Sequence, residues 1–171
     1  MQDTDGLVSE FASKEYNMFY KLPYIKSASL VNKLKKVYTS VVVAGAPVTL
    51  GLWAADIISA GTFNAFCCLG SMLCISLYTL GILFYKLIGF VYLSTDNTIV
   101  KVSYLDFWGR RVDSYCPIGD IMPLSDMQEN PSDIFIKFVQ YSSPQILYLT
   151  LRFGCIKDME LFVKVFGKIN L

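Results

Sequence analysis

Three carboxylates, Asp106, Asp113 and Asp120, recur every seven residues. Carboxylates at a fixed spacing could share acid–base work, one protonated and one ionised. Aspartates at turns and strand ends give the same pattern without chemistry. A fourth, Asp56, interrupts an otherwise charge-free stretch and could serve an ion pathway. No basic or second acidic residue in the apolar runs around it would complete a relay. The chain has no histidine, which removes the commonest general base and metal ligand. Ser–His–Asp and Cys–His systems are thereby excluded, and no phosphate loop, dinucleotide fingerprint or metal-ligand spacing is present. Of five cysteines, Cys67, Cys68 and Cys74 lie in apolar sequence and act as small hydrophobes. Cys116 and Cys155 read as reduced thiols, with a disulfide between them as the alternative. The expectation is no catalytic residue, no cofactor, no metal and no small-molecule substrate.

The most distinctive polar segment is Phe107-Trp108-Gly109-Arg110-Arg111. Aromatic side chains beside arginine are the composition of a protein-binding hot spot. The competing reading is a structural corner, with Trp108 packed inward and Gly109 supplying a positive φ. Phe107, Trp108, Arg110, Arg111 and Tyr115 are the candidate partner-binding residues. They fall in the longest irregular stretch expected in the polar half of the chain, residues 106–117.

These residues need elements to hold them, and the elements are of two kinds. No charge occurs over the 19 residues Val37–Ala55, nor over the 29 residues Ile57–Tyr85. About 20 apolar residues in a helix cross a bilayer core. The chain is also 54% hydrophobic with a mean hydropathy of +0.45, high for a soluble domain of 171 residues. The expected organisation is an unstructured N-terminus at 1–14 and a basic amphipathic approach segment at 15–36. A first transmembrane helix at 37–58, a polar turn at 59–64 and a second transmembrane helix at 65–85 follow. Pro47 should bend the first helix. Small residues at Gly45, Gly51, Ala55, Gly70 and Cys74 are candidates for close helix–helix packing in a hairpin.

Beyond Lys86 the period of the pattern changes. Ile88–Leu93 and Thr98–Leu105 read as a hairpin, and Ile134–Tyr141 and Ile146–Phe153 as further strands. Asp158 suits the cap of a terminal helix with Leu161, Phe162, Val165, Phe166 and Ile169 on its buried face. Residues 86–171 are therefore expected to form a soluble α+β domain, an antiparallel sheet of four or five strands with a C-terminal helix. Lys26, Lys33, Lys35 and Lys36 precede the first span and Lys86 follows the second, whereas the turn between has no Lys or Arg. The positive-inside rule then puts both termini on one side. The net charge of +1 argues against nucleic acid as a partner. Residues 1–13 have neither the layout of a secretory signal nor the basic character of a standard mitochondrial presequence.

The string YLDFWGRRVDSYCPIGDIMPLSD at 104–126 resembles the signature stretch of the transmembrane protein 186 family. The resemblance extends to NMFYKLPYIK at 17–26, LIGFVYL at 87–93, YLTLRFG at 148–154 and FVKVFG at 162–167. It runs from about Glu15 to Gly167, and departs at Arg110, where the family pattern has an aromatic residue. The resemblance implies a non-enzymatic assembly factor of the mitochondrial inner membrane, both termini in the matrix. It would act in the complex I intermediate assembly complex and help build the membrane arm of respiratory complex I. Implied partners are the lipid bilayer, membrane-arm subunits, Ecsit, an acyl-CoA dehydrogenase relative and other small membrane assembly factors. An ATP synthase assembly factor and a small transporter or channel subunit are the alternatives.

Overall fold

Charge-free sequence folds into long helices here, and alternating sequence into a sheet. The computed structural model describes residues 15–124, 126–127 and 133–167. The segment 1–14, part of the polar loop after Met127, and Lys168 and Ile169 lie outside them. The chain divides into two units. One holds residues up to Ile25, Lys86–Asp106 and the chain from Arg111 onward; the other holds Lys26–Tyr85 and the short insert Phe107–Arg110.

The helical unit is built on α1 (Ile25–Ala54, whose first residue belongs to the sheet unit) and α2 (Ala60–Leu83). At 1.5 Å per residue they are about 45 and 36 Å long. Both are long and apolar enough to cross a bilayer of roughly 30 Å. In their most apolar stretches, 0% of α1 and 11% of α2 is buried within the protein. A core helix of a soluble protein would be covered, so these helices fit a membrane-embedded chain. The two helices pack side by side as a hairpin. A methyl group at Gly45 would lie 2.8 Å from the ring of Phe66, and one at Gly70 would lie 3.4 Å from Val42. Trp53 and Phe63 stack across the turn, with ring centroids 5.5 Å apart.

The helix limits differ from those expected. The basic segment after Ile25 is continuous with α1, and α1 stops at Ala54 rather than at 58. Asp56 takes a left-handed conformation, φ 58°, which an aspartate tolerates better than most residues and which ends the helix. The turn expected at 59–64 lies earlier, because the Ser59 hydroxyl accepts a hydrogen bond from the Thr62 amide and caps α2. That capping bond is a stronger start signal than the polar run Gly61–Asn64 is a stop.

The sheet unit contains β1 (Tyr16–Lys21), β2 (Ile88–Ser94), β3 (Ile99–Leu105), β4 (Arg111–Pro117) and β7 (Cys155–Ile156) in one five-stranded sheet. Its order is β4-β3-β2-β1-β7, and every pairing is antiparallel. A separate ribbon pairs β5 (Ile136–Phe138) with β6 (Leu147–Leu149). The last described helix is α3 (Met159–Phe166), capped by Asp158 through bonds from the amides of Glu160 and Leu161. An antiparallel sheet with a terminal helix is thus the architecture of this unit, as expected.

Two strands depart from the sequence reading. The segment Tyr16–Lys21, read as part of a membrane approach, is an interior strand of the sheet, between β2 and β7. Its register shifts between Met18 and Tyr20, so Phe19 and Tyr20 are both fully buried. A bulge of this kind breaks the alternation that identifies a strand from sequence. Arg111–Pro117, read as irregular, pairs residue for residue with β3, from Leu105 opposite Arg111 to Ile99 opposite Pro117.

An aromatic cluster forms the core of the unit. Phe19 meets Phe162 and Phe166 edge-on at 6.2 Å each, and Phe138 meets Phe166 at 5.9 Å. The Tyr20 hydroxyl donates to the carbonyl of Thr150 at 2.6 Å. A side chain at Gly154 would overlap both partners of that bond, so only glycine fits. Burial pushes the Tyr20 hydroxyl well above the ordinary tyrosine range, the hydrogen bond to Thr150 opposing in part.

Candidate functional site

The segment singled out for its Trp and Arg residues is split by the fold. Phe107–Arg110 forms the turn between β3 and β4, and belongs to the helical unit. Gly109 is left-handed, φ 73°, and a methyl group there would lie 2.7 Å from the Ser29 carbonyl. Both facts require glycine at this corner. The Ser29 hydroxyl donates to the Gly109 carbonyl at 2.7 Å, tying the turn to α1.

Nearly two turns further along α1, Lys35 is fully buried. Its ammonium donates to the Phe107 carbonyl at 2.8 Å and lies 3.5 Å from the centre of the Phe107 ring. The rings of Tyr78 and Trp108 stand at 5.1 and 5.5 Å. A desolvated cation among aromatic faces is held by their quadrupoles. Tyr78 and Tyr85 each approach Phe107 at 6.1 Å. Phe107 is therefore a packing residue of a cation–aromatic cluster. Asn32, one helical turn before Lys35, is also fully buried, and its amide has no hydrogen-bond partner among the described residues.

Trp108 and Arg110 keep exposed side chains in the turn. With Lys33, Lys36, Val37, Ser40, Val41 and Ala44 of α1 they line an open groove of about 680 Å³ within the helical unit.

Arg111 and Tyr115 belong to the sheet unit instead. The Arg111 Nε–H donates to Asp113 Oδ1 at 2.9 Å, and its terminal nitrogen donates to the Ser103 hydroxyl at 2.8 Å. Ser103 in turn donates to Asp113 Oδ1 at 2.5 Å, and Lys101 reaches Asp113 Oδ2 at 3.1 Å. Burial alone would raise the Asp113 carboxyl, but the bonds from Ser103, Arg111 and Lys101 outweigh it and hold it below the usual aspartate value. The Arg111 guanidinium lies 5.2 Å from the Phe90 ring, and the Lys101 ammonium 5.3 Å from that of Tyr115. Arg111 is thus engaged in its own sheet, where the sequence reading had it in an irregular loop. The signal for a strand was present: Val112, Ser114 and Cys116 alternate with Arg111, Asp113 and Tyr115.

The seven-residue aspartate series does not converge on one centre. Asp113 sits in the ion-pair cluster, and Asp120 accepts from the amide and hydroxyl of Ser142. Cys116 is buried and its thiol is pushed up to about 12, mainly by that burial. Cys155 is exposed, and both thiols are free. Among the described residues no group of three or more His, Cys, Asp or Glu side chains is placed to hold a metal ion. Of the small residues proposed for helix packing, Gly45 and Gly70 face the opposite helix, and Cys74 is half-buried. Gly51 has open space around it, and Ala55 is exposed beyond the end of α1.

No protein-family model matches the chain. Curated proteins do. Transmembrane protein 186 of Bos taurus is 32% identical over 161 residues, covering 92% of this chain and 74% of that protein. Transmembrane protein 186 of Homo sapiens is 33% identical over 162 residues, covering 91% of this chain and 73% of that protein. The protein of the same name from Drosophila melanogaster is 28% identical over 159 residues, 91% of this chain and 78% of its own length.

Proposed function

The chain belongs to the transmembrane protein 186 family, and on that premise we propose that it is a non-enzymatic assembly scaffold of the mitochondrial inner membrane. It helps build the membrane arm of respiratory complex I within the complex I intermediate assembly complex. Its partners are membrane-arm subunits, Ecsit, an acyl-CoA dehydrogenase relative and other small membrane assembly factors.

The observation that carries this reading is the pairing of β1 with β2. These strands flank the helical hairpin in sequence, and Lys21 stands opposite Phe90 in their ladder. Hydrogen-bonded neighbours cannot be separated by a bilayer. The pairing therefore supports one sheet domain on one face of the membrane, the matrix face by the lysine asymmetry. A chain so arranged offers two apolar helices to neighbours inside the bilayer and a folded surface to neighbours outside it. In the turn, Trp108 and Arg110 are the exposed pair that a partner would meet, whereas Phe107, Arg111 and Tyr115 act from within the fold. The test is a crosslinking pull-down of the tagged chain from mitochondria. Recovery of the assembly complex and membrane-arm subunits is expected. Recovery of ATP synthase subunits in their place would refute the assignment.

A further inference from the structure

The groove of the helical unit has the chemistry of a lipid site. Lys33, Val37, Val41 and Ala44 follow at helical intervals along one face of α1, with Lys36 and Ser40 beside them. That face begins with cations and becomes apolar where the charge-free run of the chain begins. Trp108 and Arg110 of the turn form the opposing wall. Three cations therefore line a space of about 680 Å³ whose floor is aliphatic, and among the described residues no acidic side chain lines it. Val37 and Val41 are each about 60% exposed.

We propose that this groove binds one anionic phospholipid, the headgroup phosphate between Lys33, Lys36 and Arg110 and an acyl chain along Val37, Val41 and Ala44. Charge complementarity selects an anion. The aliphatic floor, leading into a helix that fits a bilayer, selects an anion with a hydrocarbon tail. Trp108 suits the boundary between the two, since an indole prefers the headgroup level. The volume lies in the range of sites that enclose a small ligand. The proposal rests on the membrane reading of α1 and α2, and not on the role in complex I assembly.

The test uses the two tryptophans of the chain, Trp53 and Trp108. A Trp53→Phe variant of the full chain leaves Trp108 as the sole emitter. It is reconstituted in phosphatidylcholine bilayers with rising fractions of acyl-brominated phosphatidylglycerol or acyl-brominated phosphatidylcholine. The brominated anionic lipid should quench Trp108 with at least about a fivefold preference, which is what one nearby cation supplies. In Lys33→Gln/Lys36→Gln the preference should fall toward one, with the helical circular dichroism unchanged, while Lys26→Gln should retain it. Equal quenching by both lipids overturns the proposal, as does an undiminished preference in the folded double variant. Loss of the preference in Lys26→Gln as well would show a diffuse surface charge and overturn the groove. A Trp108 response to an acidic peptide and none to the anionic lipid would assign the groove to a protein. Each of these failures is separate from the pull-down, whose outcome does not depend on lipid headgroups.

Discussion

Arg110 and Arg111 are neighbours with different tasks. Arg110 sits exposed in the turn, and Arg111 is locked to Asp113 and Ser103 on the sheet. Charge reversal should separate them. Arg111→Glu puts a carboxylate beside Asp113 and removes a donor, so it should lower the stability of the sheet unit by about 1–2 kcal/mol. Arg110→Glu should cost that unit less. Limited proteolysis of the detergent-solubilised variants reads the order, and equal sensitivity would show that the Arg111 cluster contributes nothing. The same cluster sets a pH dependence. The folded Asp113 carboxyl lies below its unfolded value, so its contribution is present above the unfolded pKa near 4 and is lost as pH falls through the folded value. Asp113→Asn should therefore be less stable than the parent at neutral pH, and the two should converge in acid. A gap that persists there would mean the ionised form is not what stabilises. Adjacency in sequence put both arginines in one candidate site, and only the ladder to β3 tells them apart.

The elements with a clean period were legible from sequence and those with a broken one were not. β2 and β3 alternate around a turn, and α3 carries a cap and an apolar stripe, so all three fall where the pattern puts them. β1 hides behind its bulge, and its partner lies some 70 residues away across the helices. β4 reads as polar because one of its faces carries the ion-pair cluster. The cage around Lys35 has no sequence signal at all, since a lysine just before a span reads as solvated. The same reasoning identifies which side chains hold the elements together. Leu149 on β6 and Phe162 on α3 are both fully buried. Replacing either by Ala should destabilise the sheet unit by roughly 2–5 kcal/mol. Parental protease resistance in both variants would place these residues outside the core.

At the scale of the molecule, the strand before the hairpin and the strand after it are hydrogen-bonded partners, which supports a common side for both ends of the chain. Epitope tags at the two ends should both survive protease added to mitoplasts, and cleavage of either would contradict that arrangement. Two candidate spans, an antiparallel sheet unit and membership of a family of transmembrane proteins support the proposed scaffold role. The most direct measurement of that role is native-gel analysis of respiratory complexes after loss of the gene. The account predicts stalled membrane-arm intermediates and depleted complex I, restored by the intact chain. Normal complex I with a deficit confined to ATP synthase would contradict it.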